Sequence, residues 1–183
     1  MPDRKDQIRK EISKKLNKQA RQEAQKKSDI IKKKLFSLPE FKKAKCVMLY
    51  ASTDNEVNTD SIIDGALEAG KQVALPRCTG LKELVAKEIR NRQNDLKPGI
   101  YGINEPPRER KNVQPARIDL VVVPGVAFDE KNIRLGRGKG YYDRFLAKLP
   151  WNKISIGLAF RFQVVENLPK DSHDIPVSKV ITD

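Results

Sequence analysis

Residues 118–123 read IDLVVV, and residues 134–144 read RLGRGKGYYDR. The first segment is a near-continuous apolar run, which is typical of a central parallel strand buried on both faces. The second is a glycine-rich loop that opens a predicted helix from about residue 141 to residue 149. In open α/β folds, ligands bind at the carboxyl ends of the strands, where such loops lie. This stretch therefore predicts both the fold class and the place of the site.

Strands and helices alternate on both sides of this stretch. A helix is predicted at 60–69, and Pro76 is expected to end the second strand. The predicted strands are 46–50, 72–75, 84–89, 154–160 and 180–182. The alternation predicts a three-layer α/β fold, Rossmann-like, with a mostly parallel sheet and helices on both faces. At 183 residues, the whole chain (1–183) is expected to form one domain.

The N-terminal segment 4–38 is predicted to form one long basic helix that ends before Pro39. Apolar residues recur at helical spacing along it, at Ile8, Ile12 and Leu16 and again at Ile31 and Leu35. Residues 1–45 hold 16 Lys/Arg and 6 Asp/Glu, a surplus of +10 out of the chain's +13. Such a surface suits nucleic acid, an anionic membrane or a phosphate-bearing ligand, or it is a solvated helix face.

Composition excludes several classes of protein. No run approaches the roughly 18 apolar residues that a membrane span needs, and the first residues lead into no apolar segment of a secretory signal. Two cysteines and one histidine are too few for a disulfide scaffold or a Cys/His zinc site. We therefore expect a cytoplasmic protein whose chemistry rests on Asp, Glu, Lys, Arg, Tyr and backbone groups.

The glycine loop predicts a phosphate site. Its alternate glycines let backbone N–H groups approach an anion, and the following helix adds its positive end. The glycines are Gly136, Gly138 and Gly140, and the basic residues among them are Arg134, Arg137 and Lys139. The loop matches neither a Walker A loop nor a dinucleotide fingerprint, because Lys139 precedes a glycine and Tyr141 stands at the third fingerprint position. The pattern therefore indicates phosphate and leaves the ligand open.

Asp143 lies in the first turn of the predicted helix. A carboxylate there can stabilise the helix dipole, or it can bind a Mg²⁺ ion that bridges it to phosphate oxygens. Helical periodicity groups Tyr142 with the apolar core stripe, while Tyr141 and Asp143 lie off that stripe.

The motifs VPGVAFD at 123–129 and RLGxGxGYYD at 134–143 resemble the signature of the 5-formyltetrahydrofolate cyclo-ligase family, also called methenyltetrahydrofolate synthetases. The similarity covers essentially the whole chain. Supporting segments are Lys5-x-x-Ile8-Arg9, 50–59, 70–77, 102–106 and His173-Asp174. One departure is Asn132, where the family usually has glycine. We expect the turn to survive, because asparagine tolerates a left-handed backbone.

The resemblance implies an ATP- and Mg²⁺-dependent cyclisation of 5-formyltetrahydrofolate to 5,10-methenyltetrahydrofolate, with release of ADP and phosphate. It implies a small-molecule partner, a reduced folate with or without a polyglutamate tail, and no membrane. Nucleic acid is disfavoured as a partner, and a monomer is favoured.

The resemblance also implies roles for individual residues. Arg134 and Lys139 would act in catalysis, and Asp143 and Asp174 would hold the metal, although Asp174 also suits an ordinary turn. Folate binding falls to Tyr50, Ala51 and Glu56. ATP binding falls to Lys5, Arg9, Arg134, Gly136, Arg137, Gly138, Lys139, Gly140, Tyr141 and Tyr142. The loop 99–106, with Tyr101, could cover the substrate.

Three other functions stay open. The basic N-terminal segment could bind nucleic acid, which steep salt dependence without an effect of ATP or folate would reveal. The glycine loop could serve another ATP-dependent phosphoryl transferase or ligase, which substrate profiling would identify. A non-catalytic relative would bind folate without hydrolysing ATP.

Overall fold

The computed structural model describes residues 3–80, 83–99 and 102–183. Two 3₁₀ helices of three residues each, Pro115–Arg117 and Arg161–Gln163, accompany the α-helices. The helices are α1 (Arg4–Lys18), α2 (Arg21–Ser37), α3 (Pro39–Lys43), α4 (Asp60–Glu68) and α5 (Tyr141–Leu146). Among these residues, no helix is both long and apolar enough to cross a membrane.

The strands form one large sheet and two small ones. The strands are β1 (Cys46–Met48), β2 (Gln72–Thr79), β3 (Glu83–Ile89), β4 (Lys97–Pro98), β5 (Asn104–Glu105), β6 (Asn112–Val113), β7 (Leu120–Val123), β8 (Ala127–Asp129), β9 (Arg134–Leu135), β10 (Ile154–Leu158), β11 (Val164–Val165) and β12 (Lys179–Ile181). The seven-stranded sheet has the order β12-β10-β7-β1-β2-β3-β6. Its first five strands pair in parallel, whereas β2–β3 and β3–β6 pair antiparallel. The mixed α/β architecture expected from the sequence is confirmed.

Strand β7 lies in the centre of the sheet, and its side chains are buried on both faces. Leu120 and Val122 share one apolar cluster with residues of α2, α3 and α4. Val121 and Val123 share the other with Phe145 of α5. Because alternate side chains point to opposite faces, the apolar run at 118–123 supplies both halves of the core.

The single helix expected over 4–38 is wrong, because Gln19 and Ala20 adopt extended backbone angles and separate α1 from α2. A straight helix over this segment would be about 52 Å long at 1.5 Å per residue, much longer than a small domain. The break lets each apolar stripe find its own surface. Ile12 of α1 packs against the small sheet of β8 and β9, and Ile31 of α2 packs against the large sheet.

The second strand does not end at Pro76, as the sequence predicted, but continues to Thr79. Strand β1 pairs with β2 only as far as Ala74, whose carbonyl accepts a hydrogen bond from the Leu49 N–H. The backbone N and O atoms of residues 74 and 76 point to the same side of β2, towards β1. The paired part of β1 ends before it reaches the level of Pro76. The proline therefore removes no ladder hydrogen bond, and β3 continues to pair with β2 beyond it.

The hairpin between β8 and β9 leads into the glycine loop. Asn132 has a φ of 61°, so the left-handed turn predicted at this position is confirmed. The buried Asp129 carboxylate fixes the turn, because its Oδ1 accepts N–H groups of Lys131 and Ile133 and its Oδ2 accepts the Leu168 N–H. This arrangement places Arg134 at a defined point before the loop.

Candidate functional site

A cavity of about 560 Å³ opens at the carboxyl ends of β1, β2 and β7. Tyr50 and Ala51 line it after β1, Cys78 lines it on β2, and Pro124 and Gly125 line it after β7. Every residue that the sequence assigned to ATP, folate or metal also lines this cavity. The fold therefore brings the candidate residues together, while their individual roles stay predictions.

The glycine loop uses its glycines for backbone conformation and for close approach. Gly138 and Gly140 have φ angles of +92° and +64°, in the left-handed region that favours glycine. A Cβ atom on Gly136 would lie 2.7 Å from Nη1 of Arg134. The loop backbone therefore lies directly over the Arg134 guanidinium, and a side chain at Gly136 would displace it.

Arg134 and Asp143 form an ion pair beneath the loop. Nη2 of Arg134 lies 2.7 Å from Oδ2 of Asp143, and their side chains are 4% and 11% exposed. The Pro124 carbonyl accepts a hydrogen bond from Arg134 at 3.3 Å, and Oδ1 of Asp143 accepts one from the Ile175 N–H. The pair therefore fixes β9 to the first turn of α5.

Helix α1 contributes two cations to the cavity. Nε of Arg9 donates to the Gly136 carbonyl at 2.9 Å, so α1 holds the start of the glycine loop. Nζ of Lys5 lies 2.7 Å from Oδ2 of Asp171 and 2.5 Å from Oδ2 of Asp174. Burial opposes the charge on Lys5, but its hydrogen bonds to the two carboxylates outweigh burial and raise its pKa. Lys5 therefore fastens α1 to the turn at 171–174.

Arg137 extends from the glycine loop across the cavity to the segment after β1. Its Nη2 lies 2.9 Å from Oε1 of Glu56 and 2.9 Å from the Thr53 hydroxyl. Oε2 of Glu56 accepts the Thr53 N–H at 2.9 Å. The Arg137 side chain is 57% exposed and that of Glu56 is 16% exposed. The predicted phosphate loop and the predicted folate wall therefore touch through one ion pair.

Lys139 differs from the other cations of the site. It is exposed, and no described acidic group lies within ion-pair distance of it. Its ammonium group is therefore available to an anionic ligand without the loss of an existing pair.

One of the two predicted metal ligands belongs to a group of three potential ligands among the described residues. Asp174 shares a group with Asp171 and His173, whose ligand atoms lie within 4.8 Å of one another, and Asp143 is not part of that group. Each predicted ligand already pairs with a cation, Asp143 with Arg134 and Asp174 with Lys5. Burial would raise the pKa of Asp174, but the hydrogen bonds from Lys5 and from the Asp171 N–H, together with the nearby positive charge, outweigh burial and lower that pKa.

Two tyrosines, Tyr50 and Tyr142, contribute to the cavity wall. The Tyr50 side chain is buried, and burial raises its hydroxyl pKa far above the ordinary value. The Tyr142 hydroxyl is also buried and has no hydrogen-bond partner within residues 3–80, 83–99 and 102–183, and burial raises its pKa too. Tyr142 packs against the second core cluster, as its helical position predicted. Both hydroxyls are therefore neutral hydrogen-bonding groups near pH 7.

Sequence reasoning missed several residues of the site. Thr53 contacts both Arg137 and Glu56, and Asp171 completes the Lys5 contacts. Cys78 lines the cavity, and burial raises the pKa of its thiol to about 11, which keeps it neutral. Glu105, in the loop 99–106 that the sequence suggested as a cover for the substrate, also lines the cavity. The position of Asp171 three residues before Asp174 was the only available signal for it. Tyr101 lies outside the described residues.

Comparisons with known proteins agree on one family. The sequence model of the 5-formyltetrahydrofolate cyclo-ligase family matches residues 2–183. The chain is 34% identical to a probable 5-formyltetrahydrofolate cyclo-ligase of Schizosaccharomyces pombe, over 98% of this chain and 95% of the relative. It is 36% identical to the 5-formyltetrahydrofolate cyclo-ligase of Haemophilus influenzae, over 96% and 95% of the two chains.

Two solved structures share the fold. The NMR structure of Aquifex aeolicus 5,10-methenyltetrahydrofolate synthetase matches with a TM-score of 0.86 and 38% identity, over 97% of this chain and 88% of the other. The 5,10-methenyltetrahydrofolate synthetase of Mycoplasma pneumoniae matches with a TM-score of 0.80 and 26% identity, over 99% of both chains.

Proposed function

This chain belongs to the 5-formyltetrahydrofolate cyclo-ligase family, and from that premise we propose how its residues divide the work of an ATP-dependent ring closure. The enzyme converts 5-formyltetrahydrofolate and ATP into 5,10-methenyltetrahydrofolate, ADP and phosphate. It is an ATP-dependent ligase that forms a C–N bond within its substrate, and the substrate is a small reduced folate. A cytoplasmic location and a single-domain monomer stay predictions.

The chemistry requires activation of a poor leaving group. The formyl oxygen attacks the γ-phosphorus of ATP, and the bond between that phosphorus and ADP breaks. N10 of the folate then attacks the formyl carbon and loses its proton. The bond between that carbon and the phosphorylated oxygen breaks, and the oxygen leaves as inorganic phosphate, which takes up the proton. Such a reaction needs aligned reactants and stabilised phosphoryl charge, and it needs no nucleophile from the protein.

One observation carries the division of roles. The glycine loop and the Glu56 wall face one cavity, so a nucleotide on the loop and a pterin on the wall would meet within it. Lys139, which pairs with no acidic group in the described part of the chain, is the cation best suited to the charge on the transferring phosphoryl group. Arg9 and the backbone of 136–140 would hold the other phosphates, and Glu56 would accept ring N–H groups of the pterin.

For Arg134, the buried pair with Asp143 favours a positioning role over the direct phosphoryl contact expected from the sequence. Its Nη atoms already donate to Asp143 and to the Pro124 carbonyl. Its guanidinium, fixed beneath Gly136, would support the backbone of the phosphate loop and so set the shape of that loop. Asp171 and Asp174 would act similarly through Lys5, because they fix the end of α1 that carries Arg9.

Mg²⁺ fits this site as an ion that arrives with ATP. Asp143 and Asp174 offer the carboxylate oxygens that the ion prefers. Each already pairs with a cation, so neither carries the excess negative charge that would hold the ion without a nucleotide. When bound, Mg²⁺ would neutralise phosphate charge, and Asp143 and Asp174 are the residues that would contact it.

The test is an absorbance assay of ring closure on the parent and on Lys139→Ala. The parent should show an ATP-dependent rise of the near-ultraviolet band of the methenyl product. Lys139→Ala should lower kcat/KM by about 10²–10³-fold, the effect of removing one charge-stabilising group. Lys14→Ala is the matched control, because this exposed lysine of α1 lies outside the cavity and its loss changes net charge equally.

Two results would contradict the proposal. A flat trace from the folded parent would remove the proposed reaction. Parent-like turnover of Lys139→Ala would leave the reaction standing and remove Lys139 from it.

A further inference from the structure

The contact of Arg137 with Glu56 joins the two halves of the site. Arg137 belongs to the glycine loop, and Glu56 belongs to the wall after β1. Both carboxylate oxygens of Glu56 are engaged, Oε1 by Arg137 and Oε2 by the Thr53 N–H. A cation of the glycine loop and the carboxylate of the opposite wall therefore satisfy each other.

We propose that Arg137 and Glu56 form an interlock, in which nucleotide binding releases Glu56 for the folate and folate binding releases Arg137 for the nucleotide. The inference rests on the proposed function, because it assumes that the two ligands occupy the two sides of this cavity. It adds a property that the reaction itself does not require, namely that each ligand raises the affinity for the other.

The surroundings of Arg137 favour the exchange of its Glu56 contact for a contact with a nucleotide phosphate. An ion pair with a largely exposed partner stabilises a protein only slightly, because water competes for both charges, and the Arg137 side chain is 57% exposed. A triphosphate presents several anionic oxygens, to which a guanidinium makes strong paired hydrogen bonds. Arg137 stands between Gly136 and Gly138, where the backbone has freedom to turn the side chain. A bound nucleotide should therefore take Arg137 from Glu56.

The surroundings of Glu56 favour the binding of the pterin once Arg137 has left. When Arg137 leaves, Oε1 of Glu56 loses its charged partner and becomes an acceptor for ring N–H groups. Oε2 keeps the Thr53 N–H, so the carboxylate stays oriented. Its side chain is only 16% exposed, so few water molecules can replace the lost partner. An unpaired acceptor in this position should bind the pterin more tightly than a paired one.

Arg9 gives the loop a second, different attachment. It donates to a backbone carbonyl, that of Gly136, and also pairs with Asp6 on its own helix. This contact does not involve the folate wall, so its loss should weaken nucleotide binding without coupling the two ligands. The coupling is therefore assigned to Arg137 alone among the cations of the loop.

The experiment measures the dissociation constant of 5-formyltetrahydrofolate by calorimetry, with and without a saturating, non-hydrolysable ATP analogue and Mg²⁺. For the parent, we expect the analogue to lower this constant about 2–5-fold, because the coupling is limited by the strength of the one exposed ion pair that is released. For Arg137→Ala, the ratio should fall to near 1. Its folate affinity without the analogue should also rise to the parent's value with the analogue.

Lys139→Ala is the matched control for the loss of one loop cation. It should weaken analogue binding and leave folate affinity without the analogue unchanged, and at saturating analogue it should keep the parent's ratio. Glu56→Gln tests the same pair from the other side. It should weaken folate binding and strengthen analogue binding in the absence of folate, because Arg137 is then free.

Three results would overturn the interlock. They are a ratio near 1 in the parent, a parent-like ratio in Arg137→Ala, and weaker folate binding by Arg137→Ala without the analogue. The last would mean that Arg137 holds Glu56 for the folate rather than withholding it. Absence of folate binding to the folded parent under every condition would instead overturn the proposed function, so the two failures are distinguishable.

Discussion

Two arginine–carboxylate pairs lie three residues apart in the glycine loop, and their surroundings differ. The pair of Arg134 with Asp143 has an N–O distance of 2.7 Å, and its side chains are 4% and 11% exposed. The pair of Arg137 with Glu56 has a distance of 2.9 Å, and its side chains are 57% and 16% exposed. The chemistry and the distance are almost the same, so solvent exposure is the main variable between them.

This difference assigns opposite tasks to the two pairs. A buried pair cannot be opened without leaving an unpaired charge in a medium of low polarity, so it acts as a permanent cross-link. A pair with one exposed partner opens cheaply, because water or a ligand replaces the lost contact. The site therefore has a fixed floor at Arg134 and an exchangeable contact at Arg137.

The largest expected effect on stability is at the buried pair of Arg134 with Asp143. Arg134→Ala should lower the free energy of unfolding by about 3–5 kcal/mol, because it leaves the Asp143 carboxylate buried without its cation. Urea denaturation monitored by circular dichroism measures this change. Asp143→Ala, and the double variant, complete a mutant cycle that isolates the pair from its other contacts.

In that cycle the double variant should be more stable than the sum of the single effects predicts. Additive effects, or single losses below about 1 kcal/mol, would show that the buried pair does not act as a cross-link. The contrast with Arg137 would then have no basis in stability.

The sequence predicted the elements around this site better than the contacts within it. The apolar run at 118–123 predicted the central strand, because a strand that is buried on both faces can be recognised from the local sequence pattern alone. The left-handed Asn132 followed from the family resemblance, which places a glycine at this position, together with the tolerance of asparagine for this backbone conformation. The glycine loop was recognisable because its glycines and cations are adjacent in the chain.

The long-range pairs gave no such signal. Lys5 meets Asp171 and Asp174 across more than 160 residues, and no periodicity links them. The break at Gln19 lacks proline and glycine, so tertiary packing of α1 and α2 on two different sheets decided it. Pro76 stays within a strand because its neighbour β1 is short, which is a property of the sheet rather than of the proline.

An intermediate effect is expected at the pair of Lys5 with Asp174, whose side chains are 10% and 13% exposed. The pKa of Asp174 is lowered in the folded protein, so its contribution to stability is complete above the unfolded value of 3.8. It is lost as pH falls through the folded value below that. The pKa of Lys5 is raised, so its contribution is complete below 10.5 and is lost at higher pH.

Asp174→Asn should therefore reduce the acid sensitivity of the protein below about pH 4. One proton fewer taken up on unfolding changes the slope of stability against pH by at most about 1.4 kcal/mol per pH unit. Urea titrations between pH 2.5 and 7 on the parent and the variant measure this slope. Identical slopes of stability against pH below pH 4 in the parent and the variant would mean that the Lys5 contact does not contribute to stability.

The smallest effect on stability is expected where the effect on ligand binding is large. Arg137→Ala should lower the free energy of unfolding by less than about 1 kcal/mol, because its guanidinium is mostly hydrated already. The difference from the parent should shrink further in 1 M salt, where the Debye length is about 3 Å. Urea titrations at low and high salt, with Arg134→Ala in parallel, give both numbers. A loss of 3 kcal/mol that persists in 1 M salt would place Arg137 in the same class as Arg134. A contact that strong would not yield to a nucleotide, so the interlock requires this variant to be nearly as stable as the parent.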